Sequence, residues 1–318
     1  MADRTLRFAR FRHRLPNMLS FLPAKLKGFI SAVLFAMNTV FWCSLIFLLI
    51  PVKLLFPSKT VRDWSSRLMI KMAESWISFN SFEAGLMHKI KWEVDGITGL
   101  SRNRSYLVSA NHQSWIDIVV LQHVFNRHIP FLRFFLKSQL IYVPFLGGAW
   151  WALDFPFMKR YSKSYLEKHP EKRGQDLKTT RKACERFSGS KISVLNFLEG
   201  TRFTQEKHDR QKSPYRNLLL PKAGGVAFVL DAMGKQFHSF LDVTIFYPDG
   251  AVSLWGLFSG QLDRVKVHVE EIFFPPDILN DMTDGKYFED AQVRDKIQSW
   301  IREIWEKKDR TIEAFKTR

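Results

Sequence analysis

Ser105-Tyr106-Leu107-Val108-Ser109-Ala110-Asn111-His112-Gln113-Ser114-Trp115-Ile116-Asp117 is the stretch on which the reading of this chain turns. Ser105–Ala110 is short and mostly apolar, as a buried strand would be, and Ile116–Phe125 has the length and content of a helix. His112 therefore emerges at a strand's C-terminal end, the edge where open α/β sheets bind ligands. With a helix starting near Ser114, Asp117 lies one turn in and folds back toward the imidazole. A carboxylate there keeps one ring nitrogen protonated and leaves the other free to take a proton. The pair reads as a general base without a nucleophilic serine, suited to deprotonating a substrate hydroxyl. Taken alone, such a pair is more often structural than catalytic, and Ser114 is equally a helix N-cap.

The same strand–helix alternation extends outward. His88–Val94 and Val265–Val269 alternate apolar and polar residues; Ile192–Leu198 and Val243–Tyr247 are apolar runs of strand length; Pro221–Met233 and Ala291–Lys316 read as helices. The expectation is an α/β domain over residues 88–318, with a mixed or largely parallel central sheet flanked by helices. After Ile192–Leu198 comes Glu199-Gly200-Thr201-Arg202. Gly permits close backbone approach, Thr offers a hydroxyl, and Arg pairs with a phosphate through two N–H groups. By itself, this too is an ordinary strand-to-loop turn with a solvated Arg.

Upstream, Gly28–Val52 contains no charged side chain. As a helix it would reach roughly 37 Å, enough to cross a ~30 Å hydrocarbon core. The run is too long for a signal peptide, and no small-residue cleavage site follows it. Val61–Phe79 places Trp64, Leu68, Met69, Met72, Trp76 and Phe79 at helical spacing among charged residues, an amphipathic helix suited to an interface. Both flanks of the apolar run are basic, so charge asymmetry assigns no orientation. Pro51 and Pro57 are expected to break the helix near its end. The expected organisation is a basic tail (1–27), a membrane-anchoring element (28–87) that is either one spanning helix or a two-helix hairpin, and the α/β domain (88–318). Tyr142–Phe157, rich in Trp and Phe, reads first as core packing, with a tunnel for an apolar chain or a membrane-dipping loop as the alternative.

The net charge of +17 calls for a polyanionic partner: nucleic acid, an anionic membrane or a phosphorylated substrate. Its distribution decides among them. Residues 1–27 carry +6 beside the apolar run, 28–158 carry +5, 159–222 carry +10 around Glu199–Arg202, and 223–318 carry −4. No nucleic-acid-binding motif is present, and the apolar run points to lipid instead. Cys43 and Cys184 have no metal-ligand spacing, and no metal or organic cofactor is implied.

Asn111-His112-x4-Asp117 followed 87 residues later by Glu199-Gly200-Thr201-Arg202 resembles the glycerolipid acyltransferase superfamily, and within it the 1-acyl-glycerol-3-phosphate acyltransferases. Lys137–Gly147 is similar to the segment that follows the family's first motif, and Phe157-Met158-Lys159-Arg160 to its second. Phe197–Thr204 with Leu220-Pro221-Lys222 looks like the branch holding a bacterial group and the lysophospholipid and lysocardiolipin acyltransferases. Leu198 replaces the usual Pro, and Leu241–Ile245 departs from the usual fourth motif.

The resemblance implies a membrane-bound enzyme that moves an acyl group from acyl-CoA or acyl carrier protein to a lysophospholipid hydroxyl. His112 would be the base and Asp117 its partner. Arg160, Glu199, Gly200, Thr201 and Arg202 would bind the acceptor's phosphate, and Lys137 would lie near the thioester. Cytosolic donors favour the hairpin, which keeps both chain ends on the cytoplasmic face, expected to be that of a bacterial inner membrane. Remodelling of lysophosphatidylglycerol or a lysocardiolipin, and a non-catalytic membrane scaffold, are the alternatives.

Overall fold

The computed structural model describes residues 9–10, 18–56, 58–158 and 190–317; Arg160, Cys184 and Pro57 lie outside them. One sheet runs in the order β1 (Ala9–Arg10), β2 (Lys91–Asp95), β9 (Arg264–Ile272), β8 (Ser239–Phe246), β3 (Tyr106–Ala110), β7 (Ser193–Phe197), β4 (Leu132–Phe134). The four strands from β8 to β4 are parallel, whereas β9 runs antiparallel to β8, so the sheet is mixed, as the sequence pattern predicts. A separate two-stranded parallel ribbon joins β5 (Leu136–Lys137) to β6 (Phe157–Met158).

Every residue of β3 is buried, because helices cover both faces of the sheet. Tyr106, Val108 and Ala110 point to one face, with α1 (Ala24–Leu55), α2 (Lys59–Met87), α3 (Ile116–Phe125) and α4 (Leu146–Ala152). Leu107 points to the other, with α6 (Gly224–Met233), α8 (Pro276–Thr283) and α10 (Ala291–Lys316); three shorter helices, α5 (Gln205–Gln211), α7 (Leu254–Phe258) and α9 (Lys286–Glu289), complete the α-helices among the described residues. From β3 the chain crosses through α3 to β4, beyond β7. From β7 it crosses through α6 to β8, beyond β3. The two connections leave in opposite directions, so the crevice between the C-terminal ends of β3 and β7 is a topological switch point.

Helices α1 and α2 form an antiparallel hairpin. Asn38 Nδ2 donates to Trp76 O at 3.0 Å and Asn80 Oδ1 at 2.8 Å, and Trp76 Nε1 donates to Thr39 Oγ1 at 3.1 Å. Phe29, Met37, Phe41, Leu48 and Leu54 of α1 remain exposed, and α1 is long and apolar enough to cross a membrane. Pro51 does not end α1, which continues to Leu55: its last turn is held from outside, where Lys53 donates to Ala152 O (2.8 Å) and pairs with Asp154 (2.7 Å). Those contacts also tie the hairpin to the α/β domain. Within Tyr142–Phe157, Trp150, Leu153 and Phe155 line an apolar cavity with Trp42, Cys43 and Ile46, so this stretch packs against the hairpin. Strand β8 begins at Ser239, four residues before the apolar run, because Ser239 and Asp242 are buried against polar partners that the pattern could not show.

Candidate active site

The loop after β3 and the loop after β7 meet at the switch point. Phe203 N donates to His112 O at 2.7 Å, and the imidazole stacks on Phe197, the last residue of β7, with centroids 4.0 Å apart and planes 15° apart. The 87-residue separation between the two motifs thus closes into direct contact, because their strands are hydrogen-bonded neighbours.

Asp117, in the first turn of α3, is fully buried. Its Oδ2 lies 2.8 Å from His112 Nδ1 and accepts from the amides of Gln113 (2.6 Å) and Ser114 (2.8 Å), while Oδ1 accepts from the Tyr247 hydroxyl at 2.6 Å. A carboxylate oxygen facing three nitrogens is an acceptor, which assigns the proton to Nδ1 and leaves His112 Nε2 as the free base. Burial and the Asp117 charge push the Tyr247 phenol well above its ordinary value, so it stays a donor. Asn111 explains the residue before the histidine. Its side-chain amide donates to Ile245 O (2.9 Å) and accepts from Ile245 N (2.8 Å), clamping the end of β3 to β8 beyond the strand ladder. Ser114 is no simple N-cap: its hydroxyl donates to Val252 O.

At the other loop, Gly200 has φ +69°, a left-handed backbone that disfavours any side chain, and a Cβ there would stand 3.3 Å from Lys222 Nζ. Lys207 Nζ donates to Thr201 Oγ1 (3.0 Å) and Arg202 O (2.8 Å). Arg202 is exposed, its guanidinium 4.6 Å above the ring of exposed Trp115 in the His112 loop. Cations from Lys207, Lys222 and Arg202 thus surround the turn beside the dyad.

Glu199 faces the other way. Its carboxylate is fully buried, and among the described residues neither oxygen makes a hydrogen bond of ordinary geometry. Burial pushes its pKa up to about 8, opposed by the amides of His112 and Leu219 and by Lys308, and reinforced by Asp117. It makes no ion pair with Arg202 among the described residues. Lys137 is exposed on β5, opposite Met158 of β6, in the two-stranded ribbon outside the main sheet. Arg160 lies outside the described residues. Sequence reasoning missed Tyr247, Phe197, Trp115 and Lys207, none of which has a spacing signal; each is brought in by strand pairing or loop contact.

The sequence pattern of the acyltransferase family matches residues 91–247, from β2 to just past β8 and across both motif loops. The chain is 27% identical over 244 residues to 1-acyl-sn-glycerol-3-phosphate acyltransferase 3 of Arabidopsis thaliana, an alignment covering 72% of this chain and 59% of that protein. It is 26% identical over 250 residues to 1-acyl-sn-glycerol-3-phosphate acyltransferase delta of Homo sapiens, covering 70% of this chain and 58% of that one. The chain thus spans under two thirds of these relatives. Its fold is that of the 1-acyl-sn-glycerophosphate (LPA) acyltransferase PlsC from Thermotoga maritima, with a TM-score of 0.56 at 15% identity over 93% of this chain and 98% of that one. The family pattern over residues 91–247, relatives in one enzyme class and a shared fold together support assignment of this chain to the glycerolipid acyltransferase superfamily.

Proposed function

We propose that this protein acylates the free hydroxyl of a lysophospholipid, 1-acyl-glycerol-3-phosphate first among them, using acyl-CoA or acyl carrier protein as donor, and that it does so at the cytoplasmic face of a membrane, a bacterial inner membrane by the same reading. The observation that carries the reading is the contact between a His–Asp dyad and a cation-rimmed turn at one switch point. A hydroxyl and a phosphate a few bonds apart on one glycerol would bridge them.

In this reaction His112 Nε2 takes the proton of the glycerol hydroxyl as its oxygen attacks the thioester carbonyl. Asp117 holds the ring and stabilises the imidazolium. The tetrahedral intermediate collapses with cleavage of the C–S bond, and His112 returns the proton to the departing thiolate. Arg202, Thr201 and Arg160 hold the phosphate, with Lys207 and Lys222 adding positive charge. Lys137 takes the thioester side. The step uses an already activated acyl group, so no metal or organic cofactor enters it. The exposed apolar residues of the α1–α2 hairpin anchor the enzyme in the leaflet that supplies the acceptor.

Two variants test this. His112→Ala should abolish transfer while leaving folding and liposome binding unchanged; wild-type turnover in the purified variant refutes the base assignment. Arg202→Ala should raise the KM for the phosphorylated acceptor. An equal loss with a monoacylglycerol, which has no phosphate, would refute the phosphate role. One donor assayed against a panel of lysolipids then ranks the acceptors.

A further inference from the structure

The chain between α5 and α6 is held from outside, by the long C-terminal helix. Residues 212–223 add no strand to the sheet, so their backbone groups need other partners. α10 supplies several. The Asp309 carboxylate accepts from the Arg216 amide at Oδ2 (2.9 Å), and from the Asn217 amide (2.9 Å) and side chain (3.0 Å) at Oδ1. Trp305 Nε1 donates to Leu219 O at 3.0 Å, and Gln298 Nε2 donates to Pro221 O at 3.1 Å. Gln298, Trp305 and Asp309 are spaced by seven and then four residues, which puts them on one face of the helix. The bonded residues rise in number along the loop as they fall along the helix. Segment 216–221 is therefore a strap laid antiparallel on α10, with Leu218 and Leu219 fully buried in it.

The strap delivers Lys222 to the phosphate turn. Lys222 N donates to Leu198 O at 2.8 Å, and its ammonium stands over Gly200, 3.3 Å from where a Cβ would be. The two lysines beside the turn are held differently. Lys207 is fixed by its own bonds to Thr201 Oγ1 and Arg202 O. The Lys222 ammonium has no hydrogen-bond or ion-pair partner among the described residues, so its place depends on its backbone, and its backbone follows the strap. Asp309 is the point where that strap meets a charge, and charge-assisted bonds are the strong ones. We propose that Asp309 is a positioning residue for acceptor binding: its carboxylate fixes the register of segment 216–221 on α10, and through it the place of the Lys222 ammonium at the phosphate turn. This rests on the functional reading above and extends it to a helix outside the matched family pattern, which ends at residue 247. Glu313, one turn further on, accepts from Asn217 Nδ2 at 2.7 Å, so a variant at Asp309 keeps the loop near α10 while freeing its backbone.

The test is a double-mutant cycle on the full-length protein in detergent or nanodiscs, combining Asp309→Ala with Lys222→Ala. One acyl donor is assayed against lysophosphatidate and against a monoacylglycerol, which has no phosphate. Each single variant should raise the lysophosphatidate KM about 5–10-fold, with kcat little changed and the monoacylglycerol KM unmoved. The double variant should match Lys222→Ala to within about 2-fold, because the strap then has no ammonium left to place. Effects that multiply, or a loss shared by both acceptors, would overturn the proposal, since Asp309 would then act on the fold at large. So would a wild-type KM in folded Asp309→Ala. Should that variant not fold, Asp309→Asn is read in the same cycle: it keeps an acceptor for Asn217 and sets an NH2 group against the Arg216 amide. Wild-type protein that transfers no acyl group to any lysophospholipid would sink the functional reading instead. Hydrogen exchange would still decide Asp309: residues 213–222 should exchange faster in the variant, and an unchanged rate would refute the strap.

Discussion

Asn111→Ala removes both arms of the clamp between β3 and β8, and its cost can be worked from the contacts. Asn111 is fully buried and makes two hydrogen bonds to one residue, to Ile245 O at 2.9 Å and from Ile245 N at 2.8 Å. The Ile245 carbonyl keeps a longer bond from Gln113 Nε2 at 3.4 Å, but its N–H loses its side-chain acceptor inside the protein. An orphaned buried donor costs roughly 1–3 kcal/mol and a lost bond with its small cavity about 1 more, giving ~2–4 kcal/mol. At about 2–4 °C per kcal/mol the melting temperature should fall by roughly 5–15 °C. Asn111→Asp separates polarity from volume. At neutral pH a carboxylate replaces the donor facing Ile245 O, so the loss should exceed that of the Ala variant, and mild acid should recover part of it by restoring a donor. The assay is thermal unfolding across pH in one detergent, with transfer activity measured on the same samples. A melting temperature within a degree of wild type for Asn111→Ala, or an Asp variant indifferent to pH, would show that the clamp does not hold the His112 loop.

Tyr247→Phe deletes only the 2.6 Å bond to Asp117 Oδ1 and should lower stability by ~1.5–3 kcal/mol, the usual value of a bond to a charged group, while the two loop amides still hold His112 in register; chemical denaturation checks it. Trp115→Ala frees the stacked guanidinium of Arg202 and should raise acceptor KM about 2–5-fold, the equivalent of a ~0.5–1 kcal/mol exposed cation–π contact, without changing kcat. Glu199→Gln tests the buried carboxyl by linkage. A carboxyl raised to about 8 binds more protons folded than unfolded, so its contribution is fullest at and below the ordinary carboxyl range and is lost as pH climbs toward 8. The Gln variant should therefore gain on wild type as pH rises from 5 to 8.5; parallel stability curves would remove the basis for the shift.

The parts of this molecule that could be read from the chain are those written in local periodicity or in unusual residue clusters. β3, α3 and α10 were placed within a residue because each is a continuous apolar or 3.6-residue pattern. The dyad was legible because Asp117 is close to His112 in sequence and α3 returns it in a single turn. β4, β5 and β6 were not, since two or three residues carry no period. Pro51 misled because the external hold on the last turn of α1 comes from Asp154, about a hundred residues away. Tyr247 and Asn111's clamp were invisible for one reason: each acts across the sheet, and cross-strand register is set by the whole fold and not by any window of the chain. The inward turn of Glu199 belongs with them, because Glu199-Gly200-Thr201-Arg202 reads as one phosphate cluster until burial separates the Glu from the Arg.

The supports of His112 also have an order in time. A chain emerging from the ribosome yields the hairpin before His112 and Asp117, then Glu199–Arg202; Ile245 and Tyr247 follow only some 130 residues after the dyad they brace. β8 must also insert between β3 and a strand, β9, that is made after it. The dyad is thus synthesised well before Ile245 and Tyr247, which brace it across the sheet, and on the proposed function the α1–α2 hairpin can meet a bilayer while those braces are missing. Competence arrives as a late, cooperative event. A pulse of synthesis should produce membrane-bound chains first and protease-resistant chains, with the dyad held in place, only after β8 and Tyr247 have been released.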